Sequence, residues 1–216
     1  MPQVSGDGLT WTFRLKRGVR YAPPLQNVEI KAQDFIRALE REARPKVTEG
    51  GYAFYYSIIR GFDDFVAGRG ETIAGLETPD DYTLRVHLTE PAGDLGERFS
   101  LPATAPIPPN PRDPRSPLGT AEGHDDGYGR FLVASGPYMF EGSERLDFSL
   151  SPDQQRPVDG YTPAKSITLV RNPSWRPSSD RLRAAYADRI EIRIGATLEH
   201  ASARLDEGEI DLVMHT

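Results

Sequence analysis

Leu205-Asp206-Glu207-Gly208-Glu209-Ile210-Asp211-Leu212-Val213 closes a stretch, running from Ser174, in which the hydrophobic period changes twice. Ile190, Ile192 and Ile194 alternate with Arg189, Glu191 and Arg193, the period-two pattern of a strand with one buried face. Thr197 then stands where an N-cap hydroxyl belongs, Glu199 lies in the next turn, and Leu198, Ala201 and Leu205 recur at i, i+3 and i+7, so a helix follows. Gly208 is placed to end that helix, and the apolar residues from Ile210 to Val213 predict a second short strand. A strand-helix-strand unit of this kind predicts a mixed α/β fold.

The same reading extends towards the N-terminus. Leu9, Trp11, Phe13 and Leu15 alternate with Thr10, Thr12 and Arg14, which gives a half-buried strand turned by Lys16-Arg17-Gly18. Pro23-Pro24 breaks the chain before a helix predicted from Ala32 to Ala43, with Phe35, Ile36, Leu39 and Ala43 on its apolar face and Asp34 supplying a negative charge in its first turn. Tyr52 to Phe65, preceded by Gly50-Gly51, is rich in aromatic residues and reads as either a helix or an irregular coil. A hairpin is predicted with strands Ile73–Thr78 and Thr83–Leu88 joined through Pro79-Asp80-Asp81-Tyr82, with Leu84, Val86 and Leu88 inward and His87 towards solvent. Prolines at 102, 106, 108, 109, 111, 114 and 117 make the stretch from Pro102 to Gly129 an irregular connection. It sets the expected internal boundary, with residues 1–108 as a peripheral subdomain and 109–216 as part of a central-sheet subdomain. Gly136 to Phe140 and Ser166 to Val170 read as further strands.

Composition narrows the function. At 216 residues and 38% apolar content the chain can bury a sizeable core, and no run approaches the length of a membrane span, so a fragment not inserted in a membrane is expected. A net charge of −6, with the basic residues scattered singly, argues against a nucleic-acid partner. The lack of cysteine removes disulfides, thiolate metal sites and cysteine nucleophiles. His87, His124, His200 and His215 show no paired metal-ligand spacing and read as surface histidines, with His124-Asp125-Asp126 in a flexible acidic loop, so no metal and no cofactor is expected. No G-x-S-x-G elbow or phosphate-cradling glycine loop occurs, and the acidic pairs Asp63-Asp64, Asp80-Asp81 and Asp125-Asp126 diverge as adjacent residues do, so no enzyme is expected.

Six motifs in order tie these elements to a known family. Trp11-Thr12-Phe13-Arg14-Leu15-Lys16-Arg17-Gly18-Val19 resembles the W-x-F-x-L-R-x-G-V signature of family 5 extracellular solute-binding proteins, the peptide, dipeptide and nickel receptors of ABC importers. Ile30 to Phe35 is similar to that family's V-T-A-x-D-V helix start, Ile73-Ala74-Gly75-Leu76-Glu77 with Asp80 to Leu84 to its hairpin, and Ser135-Gly136-Pro137-Tyr138 to its G-T-G-P-Y turn. Leu169 to Trp175 resembles L-x-R-N-P-x-Y-W, and Gly208-Glu209-Ile210-Asp211 its G-E-I-D. The resemblance implies the first lobe of a two-lobed, type II periplasmic-binding-protein-like fold with the second lobe absent, exported to the outside or the periplasm, with a lipid anchor allowed in the parent. It implies capture of a peptide or similar solute, docking on ABC permease subunits, and a monomer. In the family a tyrosine from about Tyr52–Tyr56 reaches the ligand, which makes Tyr52, Tyr55 and Tyr56 the candidate ligand-binding residues; packing in the core is the competing reading for all three. Two other functions compete, a lone-lobe sensor or interaction module and a hydrolase. The family's S-D-G-x-P turn is replaced here by Ala22-Pro23-Pro24-Leu25-Gln26-Asn27, which separates this chain from the pattern at that turn.

Overall fold

The computed structural model describes residues 1–44, 47, 51–180 and 182–214; Gly50 and His215 of the sequence reading lie outside them. The first half of the chain builds a four-stranded antiparallel sheet from β1 (Gln3–Val4), β2 (Thr10–Arg14), β3 (Leu76–Asp80) and β4 (Thr83–His87), in the order β1-β2-β4-β3. Trp11 pairs with Val86 and Phe13 with Leu84, so the alternation in both strands turns one face towards α1 (Ala32–Glu42). Trp11, Leu84, Val86 and Leu88 pack there with Ile36, Leu39 and Ala43 of the helix end, and with Tyr56, Ile59, Phe62 and Ile73.

Two boundaries differ from the sequence reading. The hairpin begins later than Ile73: Ile73 is buried in the core, a bulge lies between Glu77 and Asp80, and Asp80 pairs directly with Thr83 around the two-residue turn Asp81-Tyr82. The Asp80 carboxylate accepts from the Tyr82 amide (2.8 Å) and the Thr83 hydroxyl (2.9 Å), which draws Asp80 into the turn-adjacent pair. Tyr52 to Phe65 is neither one helix nor plain coil but a 3-10 turn over Ala53–Tyr56 followed by the short helix α2 (Phe62–Val66), with Gly61 left-handed between them at φ 77°.

Helix α1 is buried nearly all round, including the face expected to be polar. Asp34, Arg37 and Glu40 are only 2%, 8% and 3% exposed. Their partners explain how charge survives there. Asp34 accepts from the Tyr21 hydroxyl (2.8 Å) and from the Lys31 amide (2.9 Å), closing the helix N-terminus, and pairs with Arg37. Glu40 accepts from the Ile73 amide (3.3 Å) and Glu42 from the Tyr52 amide (2.9 Å). Arg41 donates to the carbonyls of His124 and Asp125.

The proline-rich connection wraps the same helix. A short helix, α3 (Leu95–Arg98), and 3-10 turns at Pro102–Thr104, Gly119–Ala121 and Tyr128–Phe131 carry the chain past α1, with Ile107, Ala121 and Tyr128 packed on Ala38. His124 is therefore not a surface histidine. His124 is 7% exposed, stacks on Phe131 at a centroid distance of 3.8 Å and bonds Gln155 at 3.0 Å, because the chain after Gly119 folds back between α1 and the segment 150–155.

The second sheet is centred on β7 (Ser166–Arg171). On one side it pairs with β5 (Tyr138–Phe140) and β6 (Tyr161–Thr162), and on the other with β8 (Arg189–Arg193), all antiparallel. Residues 19–30 of the first half lie against it: Tyr21, Ala22, Leu25 and Ile30 share a core with Val133, Met139, Leu146 and Phe148. Helix α4 (Leu198–Asp206) forms as expected, with the Thr197 hydroxyl accepting from the His200 amide and Gly208 left-handed at φ 72°. The strand predicted at Ile210–Val213 does not form. Gly208 reverses the chain, the Glu209 amide is taken by the Arg204 carbonyl (2.9 Å), and no described strand lies alongside to supply a ladder. The apolar face of α4 is also open, with Leu198 52% and Leu205 40% exposed.

Two expected outcomes follow. At Gly119, left-handed at φ 56°, an added Cβ would lie 2.1 Å from the Pro108 carbonyl oxygen, so Gly119→Ala should cost roughly 2–4 kcal/mol in urea unfolding; a loss below 1 kcal/mol would contradict this packing. Burial pushes the Glu40 carboxyl above its ordinary 4.5. Its contribution is full below pH 4.5 and is lost as pH rises through the raised folded-state value. Glu40→Gln should therefore be favoured over the parent more at pH 8 than at pH 4, and a pH-independent difference in melting temperature would refute it.

Candidate functional site

The three candidate tyrosines separate according to where the 3-10 turn points them. Tyr56 faces inward and is 0% exposed; its hydroxyl donates to the Arg98 carbonyl (2.9 Å) and its ring meets Phe99 edge-on at 6.2 Å. Burial pushes this phenol up to about 12, so it stays a neutral donor. Tyr52 is half-buried, with its backbone amide tied to Glu42 at the C-terminal end of α1. Tyr55 is 37% exposed and its ring lies tilted by 33° against that of Phe54, which is 66% exposed, at a centroid distance of 3.9 Å. Phe54 belongs to the same aromatic cluster but is missed by a selection that looks for hydroxyls.

The resulting platform is an exposed aromatic pair on a fixed base. Tyr52 lies 6.3 Å from Tyr55 and flanks it. Arg98, held by Asp94 at 3.0 Å, donates to the Tyr55 carbonyl at 2.7 Å and pins the backbone beneath the pair. Phe99 stacks on Phe13 at 4.8 Å, so the base runs into the first sheet. A broad apolar face with one phenol and a carbonyl-pinned backbone can receive varied side chains and hydrogen-bond a polar backbone.

The other singled-out groups are structural in their surroundings. His87 lies on the outer face as expected, but bonds the Thr10 hydroxyl at 3.2 Å and sits 3.1 Å from Glu77. Asp64 pairs with Arg69, and Asp81 with Lys31. Among the described residues no group of three or more His, Asp or Glu side chains could hold a metal ion, and no helix is long and apolar enough to cross a membrane.

The two roles of the aromatic segment can be told apart by stability. Tyr56→Ala should cost about 3–5 kcal/mol, the range for emptying an aromatic core site, while Tyr55→Ala should cost under about 1 kcal/mol. Equal losses in denaturant titrations would contradict this division.

Comparison with known proteins bears on the whole chain. The family described as "Bacterial extracellular solute-binding proteins, family 5 Middle" matches residues 2–216. The periplasmic oligopeptide-binding protein OppA of Escherichia coli K12 is 32% identical over 105 residues, 47% of this chain and 19% of that protein. The glutathione-binding protein GsiB of Salmonella choleraesuis is 25% identical over 203 residues, 94% of this chain and 33% of that protein. Among solved structures, clavulanic acid biosynthesis oligopeptide binding protein 2 superposes with a TM-score of 0.71 at 29% identity, covering 96% of this chain and 32% of that one. The OppA of Haemophilus influenzae, solved with the peptide RPPGFSPFR, gives 0.69 at 20% identity over 97% of this chain, a likeness of fold. The chain thus spans between about a fifth and a third of the length of these relatives.

Proposed function

Because this chain belongs to the bacterial extracellular solute-binding proteins of family 5, we propose that it is one lobe of a two-lobed receptor that captures a peptide or similar small solute and presents it to the permease of an ABC importer. Its place would be outside the cell or in the periplasm. The relatives are named for oligopeptides and glutathione, which favours a peptide-like solute here.

The observation that carries the reading is the exposed Phe54–Tyr55 pair on its pinned base. A folded domain seldom leaves two adjoining aromatic rings open to water unless something covers them, and a solute held between lobes would do so. Tyr55 is the proposed ligand contact, Tyr52 its flank, and Tyr56 its support from below. The open apolar residues at the other end of the chain, Ile194, Leu198, Leu205, Leu212 and Met214, favour further protein packing there in the full-length receptor. On this reading residues 1–108 form the peripheral subdomain and 109–216 part of the central-sheet subdomain of the lobe. Binding without chemistry is the proposed activity.

In a protein of the relatives' full length, Tyr55→Ala and Phe54→Ala should each weaken peptide affinity by about 1–3 kcal/mol in calorimetry with the melting temperature of the unliganded form nearly unchanged. The 216-residue chain alone should bind the same peptides no tighter than about 1 mM, since half a cleft cannot close over a ligand. Micromolar binding by this chain alone would overturn the assignment.

A further inference from the structure

At the opposite end of α1 from the aromatic platform, a half-open cleft of about 170 Å³ lies between the turn after β2 and the loop after β7. Its walls carry Arg17, Arg20 and Arg176, with Ser135, Ser178 and Trp175 between them, and no carboxylate lines it. That is a local inversion of charge in a chain whose net charge is −6.

Two of the three arginines are already positioned. Arg17 lies over the Tyr82 ring with its guanidinium carbon 4.2 Å from the centroid, and Arg20 donates to the Asn27 carbonyl at 2.9 Å. Each uses part of its donor fork and leaves further N–H groups free. Arg176 has no hydrogen bond, ion pair or ring contact from its side chain to any described residue. The two walls are held together by Lys16, whose ammonium donates to the Ser179 carbonyl at 2.8 Å, so the cleft does not depend on an occupant to form. Two acids reach the cleft wall from behind, and the Asp180 carboxylate also takes the Trp175 indole N–H at 3.4 Å. Glu29 accepts from the Gly18 amide, and Asp180 is paired with Arg183 at 2.5 Å.

We propose that this cleft is an oxyanion subsite that takes a carboxylate group on a short carbon chain. Guanidinium forks match the planar carboxylate bidentately, and serine hydroxyls add donors beside them. Trp175 on the same wall offers an apolar face to the chain that bears the carboxylate, which a bare inorganic anion would leave unused. That this carboxylate belongs to the captured solute rests on the receptor reading; the cleft's affinity for a carboxylate rests on its own side chains.

The test uses the 216-residue protein at low ionic strength, with Trp175 fluorescence and calorimetry as readouts and succinate, its diamide and inorganic phosphate as probes. Succinate should bind saturably and change the Trp175 signal, the diamide should not bind, and phosphate should bind more weakly than succinate. Arg176→Gln, at an exposed and unpartnered side chain, should weaken succinate about fivefold or more, as should Arg20→Gln, whereas Arg189→Gln on the second sheet should leave it unchanged. Failure of succinate to saturate, tighter binding of phosphate, or an equal loss in Arg189→Gln would each overturn the subsite. Its failure would leave the capture of uncharged peptides by a full-length receptor intact, and a full-length protein that captures no peptide would leave the succinate result standing.

Discussion

The buried carboxylate of Asp34 is the constraint on which the rest of the lobe is arranged. Burial pushes its proton affinity up, and a charge in that position persists only while the Tyr21 hydroxyl, the Lys31 amide and Arg37 all face it. Those three partners come from different places: the strand-like segment that joins the second core, the N-terminus of α1, and the next turn of the same helix. The Asp34 carbonyl also takes the Ile107 amide at 3.0 Å, which brings the proline-rich connection against the helix. One residue therefore sets the position of both cores and the chain between them. Removing any partner would leave a charge or donor buried without its match, which costs more than the bond is worth when made.

With α1 fixed in this way, its two ends present different chemistry. The C-terminal end, through Glu42 and the Tyr52 amide, carries the aromatic pair. The N-terminal end, through Lys31 and its contact with the Tyr82 ring that also holds Arg17, adjoins the basic cleft. An eleven-residue helix separates them by about 16 Å. The spacing comes from the helix, and long side chains brace both ends, Arg98 onto the Tyr55 carbonyl at one and Lys31 onto Asp81 and Tyr82 at the other.

The second sheet is built to a different balance. Along β8, Ile190 and Ile192 alternate with charged neighbours and pair with Leu169 and Ile167, yet no residue of β7 or β8 is fully buried. Arg189 bridges Glu141 and Glu191, which holds the edge by ion pairs where core burial is thin. This part of the chain has the patterning of a packed layer without the cover that would complete it.

Period and caps made most of the elements legible in the sequence. β2, β4 and β8 follow from strict alternation, and α1 and α4 from their apolar spacing, with Thr197 and Gly208 marking the ends of α4, because those signals depend on neighbours a few residues away. The order of six short motifs added the family. What the sequence alone could not determine depended on partners distant in the chain. Ile210 to Val213 has the residues of a strand but no ladder to join, His124 is buried because Phe131 and Gln155 meet it, and Tyr56 is core while Tyr55 is exposed, since a 3-10 turn rather than a helix or strand sets their directions. The basic cleft was equally invisible, because Arg17 and Arg20 meet Arg176 only where the turn after β2 comes up against the loop after β7. Local periodicity fixed the elements themselves; long-range hydrogen bonds and burial, above all those around Asp34, decided which side chains went into the core and which stayed exposed.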